Sequence, residues 1–303
     1  MISFEKVPYG GWPDCYRLSN GETELILTTD VGPRIIRYGF VNGQNLFKEF
    51  PAQMGTSGES EWVPRGGHRI WIAPEDVVLT YARDNGPVQV DRQSDMVTLT
   101  QSVEPETGLV KQISVRLEDS GTAVKVTHRL TNHRSVSWQF APWALTMMAA
   151  GGYGITGFPP RGTHPEDLPP THPLIMWAFS DLTDPRWTFT KKYLVLRQDS
   201  GNTGQPTKLG HFNTNTWGAY LLGSDLFLKR YTADPAQTYP DFQASFEIFT
   251  NAETLELETL GPLTTVEPGS SIEHVEYWTL HRNVEISSWS DAGLDLSLLP
   301  LLK

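Results

Sequence analysis

The sequence has few cysteines, fewer basic than acidic residues and no long apolar run, and each shortage excludes a class of protein. Cys15 is the only cysteine, so neither an intramolecular disulfide nor a thiolate metal cluster can form, and we interpret it as a buried thiol. With 35 acidic and 24 basic residues, the net charge of -11 repels phosphate backbones and argues against nucleic-acid binding. No basic segment followed by an apolar stretch begins the chain, so we expect no signal peptide and a cytoplasmic location.

The most apolar stretch, Phe140–Phe158, does not have the sequence of a membrane span. A membrane helix needs about 20 apolar residues in continuous helix, whereas Pro142 and four glycines interrupt this stretch. We therefore predict a buried strand that runs into a glycine-rich loop, and no contact with a membrane. The glycines match a dinucleotide-binding string, but Pro159-Pro160 follows where that motif requires a helix. We therefore reject a nucleotide-binding site, because the helix that this motif requires is not predicted there.

Apolar and polar residues alternate along most of the chain, and helical periodicity is nearly absent. Lys111–Leu117 and Val124–Leu130 show this period of two, which is the signature of a strand. Similar runs, separated by Asn, Gly, Asp and Pro, recur throughout. They predict one all-β domain over residues 1–303, a large antiparallel β supersandwich with little helix. The one clear helix is predicted around Ser288–Leu299, and the Pro-rich segment Phe158–Pro173 is predicted to be a lid or a linker between half-sheets.

The segment Val63–Glu75 is the densest group of chemically active side chains. Within eleven residues it contains Arg65, His68, Arg69, Trp71 and Glu75. Guanidinium forks suit paired hydroxyl or carboxylate oxygens, and an indole stacks on the apolar face of a pyranose. Two glycines let the backbone approach a ligand closely. The alternative is an ordinary glycine turn with exposed charges and a core tryptophan, and we favour the ligand site.

A second polar group lies in Thr254–Pro262, where two leucines alternate with two glutamates. Leu255 and Leu257 point to one face, and Glu256 and Glu258 point to the other, roughly 6–7 Å apart along the strand. In a cleft, burial can raise the pKa of such a carboxyl and create a general base. On a solvent face the same pattern is a plain amphipathic strand. Further candidates for ligand contacts are Trp143, Lys208 and Glu247.

Other catalytic and metal patterns are weak. His274 and Glu276 face the same side of a predicted strand, but no spacing specifies a third ligand, so we interpret them as a surface strand pair. His164 and His172 lie in the Pro-rich loop, where ligation is unconstrained. No Gly-x-Ser-x-Gly elbow supports a serine hydrolase. We therefore expect no metal and no cofactor.

Several segments resemble the aldose 1-epimerase (galactose mutarotase) superfamily. In that fold, a strand ending in a catalytic glutamate is followed by a turn, a Pro-Gly pair and a last strand, and Leu255–Leu280 is similar to it. Arg65-Gly66-Gly67 resembles the Arg-Gly-Gly turn of the glucose-6-phosphate epimerase branch. Thr131-Asn132, followed by Phe140-Ala141-Pro142, resembles the middle strand pair. The resemblance implies a sugar ligand and assigns the role of general base to Glu258.

The chain departs from that family where a histidine acts as general acid, because Leu145 occupies the position. His68 is the substitute acid in our interpretation, and the residues that would orient a neutral or acidic monosaccharide are Arg65, Arg69, Trp71, Trp143 and Glu247. Two alternatives stay open: a non-catalytic carbohydrate-binding module, and a hydrolase or lyase of longer glycans with Glu75 as a second acid. The sequence says nothing of the oligomeric state.

Overall fold

The structure is a computed structural model that describes residues 2–93 and 95–303. Its strands, in chain order, are β1 (Ser3–Tyr9), β2 (Trp12–Ser19), β3 (Thr23–Leu27), β4 (Ile35–Phe40), β5 (His68–Ala73), β6 (Gln89–Gln93), β7 (Met96–Thr100), β8 (Leu109–Leu117), β9 (Val124–Asn132), β10 (Trp138–Met148), β11 (Tyr153–Gly157), β12 (Leu174–Met176), β13 (Trp187–Phe189), β14 (Tyr193–Arg197), β15 (Thr207–His211), β16 (Trp217–Leu222), β17 (Asp225–Arg230), β18 (Phe246–Thr250), β19 (Leu255–Leu260), β20 (Thr264–Val266) and β21 (Ser271–His281). Helical segments are short: a 3-10 turn at Pro51–Gln53, a single turn at Pro240–Gln243 and a C-terminal helix at Asp291–Leu298.

These strands form two antiparallel sheets. The first sheet runs β1-β2-β3-β4-β5-β10-β19-β18-β15-β12, with β20 paired to β10. The second sheet runs β13-β14-β11-β16-β17-β21-β9-β8-β7-β6. The predicted all-β supersandwich with little helix is confirmed, and the C-terminal helix begins and ends inside the predicted Ser288–Leu299 segment. No helix among the described residues has both the length and the apolar character needed to cross a membrane.

The alternation that predicted the strands also builds the core between the sheets. In β8 and β9 every second residue is buried, including Ile113, Val115, Val126 and Leu130. Side chains of both sheets meet in one large apolar cluster, as expected when sandwich strands turn one face inward. The inward set therefore anchors each strand, and the alternate set is free to face outward.

The C-terminal helix covers part of the second sheet, and the Pro-rich segment connects the two sheets. The C-terminal helix packs Leu294 and Leu298 onto apolar residues of the second sheet. The Pro-rich segment 158–173 has no strand or helix and links β11 of the second sheet to β12 of the first, which agrees with the prediction of a linker. On the first sheet, the outer faces of the five neighbouring strands β5, β10, β19, β18 and β15 carry polar side chains, and these form the site described next.

Candidate functional site

A row of side chains crosses the outer face of the first sheet. Arg69 of β5 pairs with Leu145 of β10, Leu145 pairs with Glu258 of β19, and Glu258 pairs with Glu247 of β18. Residues directly opposite each other in an antiparallel sheet point to the same face. The strand pairing therefore brings together an arginine and two glutamates that are far apart in sequence.

A second row runs parallel to the first, two residues along each strand. Glu256 lies between Met147 of β10 and Phe249 of β18, and Phe249 pairs with Lys208 of β15. Leu255 and Leu257 are fully buried in the core between the sheets. This confirms the predicted orientation of β19, with both glutamates directed away from that core.

The ammonium group of Lys208 connects the two rows. Its Nζ lies 2.6 Å from Glu247 Oε2 and 2.9 Å from Glu258 Oε2. The same Nζ lies 4.7 Å from the centre of the Trp143 ring and 4.5 Å from that of Trp177, which adds a cation–π attraction on two sides. Trp143 Nε1 also donates to Glu258 Oε2 at 2.8 Å. One oxygen of Glu258 is therefore held by two donors, which fixes the direction of the other.

Gly210 makes room for this arrangement. It pairs with Glu247 on the neighbouring strand, and a Cβ at this position would lie 3.1 Å from the Trp177 ring and 3.3 Å from Glu247 Cγ. A side chain here would push both groups away from Lys208. The glycine thus permits the indole to lie over the strand.

Burial and mutual charge shift the proton affinities of this cluster. Burial alone would lower the pKa of Lys208, but the charges of Glu247 and Glu258 outweigh it and hold the pKa above its ordinary value. Burial raises the pKa of Glu247 well above its ordinary value despite Lys208. Burial, followed by the charge of Glu258, raises the pKa of Glu256 to about 8. Burial also raises the pKa of Asp241. Glu256, with a pKa of about 8, therefore keeps its proton in neutral solution.

Aromatic side chains form the wall at the β5 end. The Arg69 guanidinium lies 4.9 Å from the Trp62 ring centre and 5.1 Å from that of Trp71. Tyr81 packs edge-on against both indoles and donates its hydroxyl to Glu75 Oε1 at 2.5 Å. The backbone oxygen of Pro64 accepts from Arg69 Nη2. These contacts hold Arg69 at the end of the first row.

Seven of the predicted site residues share this face: Arg69, Trp71, Trp143, Lys208, Glu247, Glu256 and Glu258. Glu75 lies at its edge beside Tyr81. The expectation that Trp71 and Trp143 stack on a sugar needs correction, because these residues are only 7% and 3% exposed. Their rings pack against Arg69 and Lys208 instead of offering open stacking faces to a sugar.

Arg65 holds the turn before β5 and is not on the row. Its side chain is buried and its Nη2 pairs with Glu59. The next residue, Gly66, has φ +94°, and a Cβ there would lie 2.0 Å from the backbone oxygen of Lys48. The Arg-Gly-Gly turn is therefore a tightly packed backbone feature, and the guanidinium of Arg65 is engaged by Glu59 and lies off the row, so the expected contact of Arg65 with a sugar has no support in this geometry.

His68 faces the opposite side of the first sheet. Its Nδ1 lies 2.8 Å from Thr146 Oγ1, and its Nε2 lies 2.6 Å from Nε2 of His128 on the second sheet. Neighbouring residues on a strand point to opposite faces, so Arg69 faces Glu258 and His68 does not. The expectation that His68 and Glu258 form an acid–base pair is wrong.

His274 and Glu276 also lie between the sheets, and their interpretation as a surface pair is wrong. Both are buried because β21 is a central strand of the second sheet. Glu276 Oε1 lies 2.9 Å from Lys229 Nζ, and Glu276 Oε2 accepts from Trp278 Nε1 at 2.8 Å. The prediction that both side chains point to the same face of the strand is confirmed. The prediction that this face lies on the surface is wrong, because it faces the other sheet.

This inter-sheet network includes the group whose geometry comes nearest to a metal site among the described residues. His68, His128 and Glu276 bring ligand atoms within 4.8 Å of one another. However, Lys229 already supplies a positive charge at Glu276, and His128 Nδ1 lies 2.9 Å from the His274 carbonyl oxygen. We interpret the group as a satisfied polar network that joins the sheets.

Asp241 and Tyr81 are site residues that the sequence did not reveal. Asp241 lies close enough to Lys208 and Glu258 for their charges to affect its pKa. It begins a left-handed segment in which Asp241, Phe242 and Gln243 have φ of 49°, 57° and 79°. Such backbone is costly for residues other than glycine, and Phe242 and Gln243 are not residue types that predict it.

Comparison with known proteins places this geometry in a known fold. No protein-family model matches the chain, and no curated protein matches it. Among solved structures, a galactose mutarotase-like protein from Lactobacillus casei ATCC 334 has a TM-score of 0.56 and 13% identity, covering 88% of this chain and 100% of that one. A galactose mutarotase-like protein from Clostridium acetobutylicum has a TM-score of 0.52 and 11% identity, covering 93% and 99%. The chain has the galactose mutarotase-like fold.

The Slr1438 protein from Synechocystis sp. PCC 6803 is also similar, with a TM-score of 0.58 and 14% identity over 92% of this chain and 99% of that one. Identities this low establish the galactose mutarotase-like fold and leave the reaction to the site itself. A groove of about 640 Å³ lies on the second sheet, lined in part by Phe158, Trp217 and Asp295. It does not include the carboxylate rows, so the chemistry described above belongs to the first sheet.

Proposed function

We propose that the outer face of the first sheet binds a small aldose and catalyses its 1-epimerisation, with Glu258 as general base. The observation that carries this proposal is a set of buried polar atoms without hydrogen-bond partners: Glu258 Oε1, Glu247 Oε1, Arg69 Nε and Trp62 Nε1. A buried polar group without a partner costs about 1–3 kcal/mol. A sugar hydroxyl both donates and accepts, so a polyol satisfies acceptors and donors together. The excess of carboxyl groups over cations favours a neutral sugar.

The geometry of Glu258 suits proton abstraction. Lys208 and Trp143 hold Oε2, and this leaves Oε1 for the anomeric hydroxyl. When Glu258 takes the proton from O1 and an acid gives a proton to O5, the C1–O5 bond breaks and C1 becomes an aldehyde carbon. Rotation about C1–C2 and the reverse steps give the other anomer. Lys208 offsets the charge of the carboxylate before the transfer and orients it throughout.

Non-catalytic sugar binding is the second candidate, and one observation favours it. Leu145 lies directly opposite Glu258 in the strand register, at the position where the family resemblance implies a histidine acid. A leucine side chain has no proton to give to the ring oxygen. The two candidates share the same ligand and differ only in whether the bound sugar reacts.

Glu258→Gln tests the proposal. The change keeps size and removes the base, so mutarotation measured by polarimetry should fall about 100- to 10,000-fold, as general-base loss does. Sugar binding, followed by ligand-detected magnetic resonance, should persist. Glu267→Gln, at an exposed turn, is the matched control and should behave as wild type. Equal rates in wild type and Glu258→Gln contradict the catalytic role, and intact binding without any wild-type turnover supports the binding candidate.

A further inference from the structure

Ring opening needs a proton donor as well as a base, and both must act from the same face of the sheet. Leu145 cannot donate, and His68 faces the core between the sheets. On the described strands of the outer face, the groups near Glu258 that can carry a transferable proton are Lys208, Glu247 and Glu256. Asp241, which precedes β18, is a further carboxyl group close to Lys208 and Glu247.

Lys208 is fully engaged as a positioning group. Its Nζ contacts both Glu247 and Glu258 and lies between two indole rings. Its pKa is held above the ordinary value, chiefly because the two carboxylates outweigh the cost of burial. A proton on this nitrogen is therefore held too tightly to be given to a ring oxygen in neutral solution.

Glu247 is turned toward Lys208 and lies on the far side of Glu258 from Leu145. It is fully buried, and its Oε2 lies 2.6 Å from Lys208 Nζ. Any proton that it holds is placed next to an ammonium group. Glu247 is therefore a positioning residue that, together with Glu258, holds the ammonium group of Lys208 in place.

Glu256 has a different environment on the same face. Its row neighbours are the apolar Met147 and Phe249, and its side chain is partly exposed, so a ligand can reach it. It lies two residues before Glu258, which separates the two carboxyl groups along the strand by roughly 6–7 Å. A pyranose ring that presents O1 to one group can present O5 to the other.

We propose that Glu256 is the catalytic acid of this site and replaces the histidine whose position Leu145 occupies. The assignment rests on the proposed function. In ring opening, Glu258 takes the proton of the O1 hydroxyl while Glu256 gives its proton to O5. The C1–O5 bond breaks and the C1=O1 double bond forms. Ring closure reverses both transfers, so the two carboxyl groups regain their initial states and no oxidant, metal or cofactor takes part.

The charges around Glu256 support this role. Burial contributes most to the rise of the Glu256 pKa to about 8, and Glu258 on its own strand and Glu75 after β5 raise it further. Lys208 on β15 and Arg69 on β5 lower it. Glu247 on β18 and Asp241 are further carboxyl groups on this face. Pairs of carboxyl groups whose environments differ in this way supply acid and base at one pH.

Glu256→Gln tests the assignment by rate, binding and pH profile. The amide keeps the shape of the neutral acid but cannot transfer a proton, so kcat for mutarotation should fall about 100- to 10,000-fold while sugar binding persists. In wild type, kcat should decline as pH rises through about 8, and the residual activity of Glu256→Gln should lack that decline. Glu267→Gln should keep both the rate and the decline.

The outcomes separate this inference from the proposed function. If wild type binds no aldose, the proposed function fails, and the acid assignment fails with it. If wild type turns over and Glu256→Gln keeps both its rate and its alkaline decline, only the acid assignment fails. If Glu247→Gln abolishes turnover and the decline while Glu256→Gln keeps them, the acid is Glu247. If wild type binds sugar without turnover, the binding candidate stands and the acid assignment is overturned.

Discussion

Lys208 is the residue whose loss should damage the site most. Its ammonium offsets the charges of Glu247 and Glu258, and all three residues are at most 5% exposed. Removing one member of a buried ion pair leaves an uncompensated charge and costs about 3–5 kcal/mol. Lys208→Met keeps most of the aliphatic stem between the indoles, so this cost reflects the lost charge and not a cavity.

The assay is urea unfolding of wild type and Lys208→Met at pH 8 and pH 5. At pH 8 we expect the variant to be less stable by about 3–5 kcal/mol. At pH 5 the gap should narrow, because a higher proton concentration favours the neutral form of carboxyl groups that have lost their cation. Lys191→Met, at an exposed lysine, should change stability by less than about 0.5 kcal/mol. A loss below about 1 kcal/mol at both pH values would refute the argument that Lys208 neutralises the site.

Two further predictions concern the fold. Burial lowers the pKa of His211 to about 3, so folding excludes a proton that the unfolded chain binds below about pH 6.5. His211→Gln removes that group. The free energy of unfolding of wild type, relative to that of His211→Gln, should therefore fall by about 1.4 kcal/mol for each pH unit below 6.5. A difference in urea midpoints that does not change with pH would contradict a neutral His211 in the folded protein. Gly66→Ala should cost more than about 2 kcal/mol in the same assay, because its Cβ would meet the Lys48 oxygen at 2.0 Å. Gly269→Ala is the control, with φ +77° and no atom within 4 Å of its Cβ; an equal loss in both variants would show that φ strain alone sets the cost.

Strand-forming alternation made the fold predictable from sequence, and it also predicted the orientation of β19. Leu255 and Leu257 had to point to the core if the segment was a strand, so Glu256 and Glu258 had to point away. The same rule explains the error over His68. We assigned the side chains of Val63–Glu75 to one ligand site, whereas His68–Ala73 form β5, and a strand sends adjacent side chains to opposite faces.

Alternation does not say which face of a strand is the buried one when both carry polar residues. In β21, the inward set is His274, Glu276 and Trp278, whereas Glu273 and Tyr277 face outward. A polar inward set is stable here because Lys229 of β17 neutralises Glu276 and Trp278 donates to it. That compensation comes from another strand, so β21 alone could not show that it would be buried.

The candidate site depends on the order of strands in the sheet, which no local pattern encodes. Glu258 meets Leu145 on one side and Glu247 on the other because β19 lies between β10 and β18. Lys208 reaches both glutamates because β15 follows β18 in the sheet. The sequence predicts which residues lie on the same face of each strand. It does not predict which strands pair, and the contacts of the site depend on that pairing. A leucine opposite Glu258 is therefore compatible with the proposed acid–base pair, since the next residue of β19 on the same side, Glu256, carries a carboxyl group.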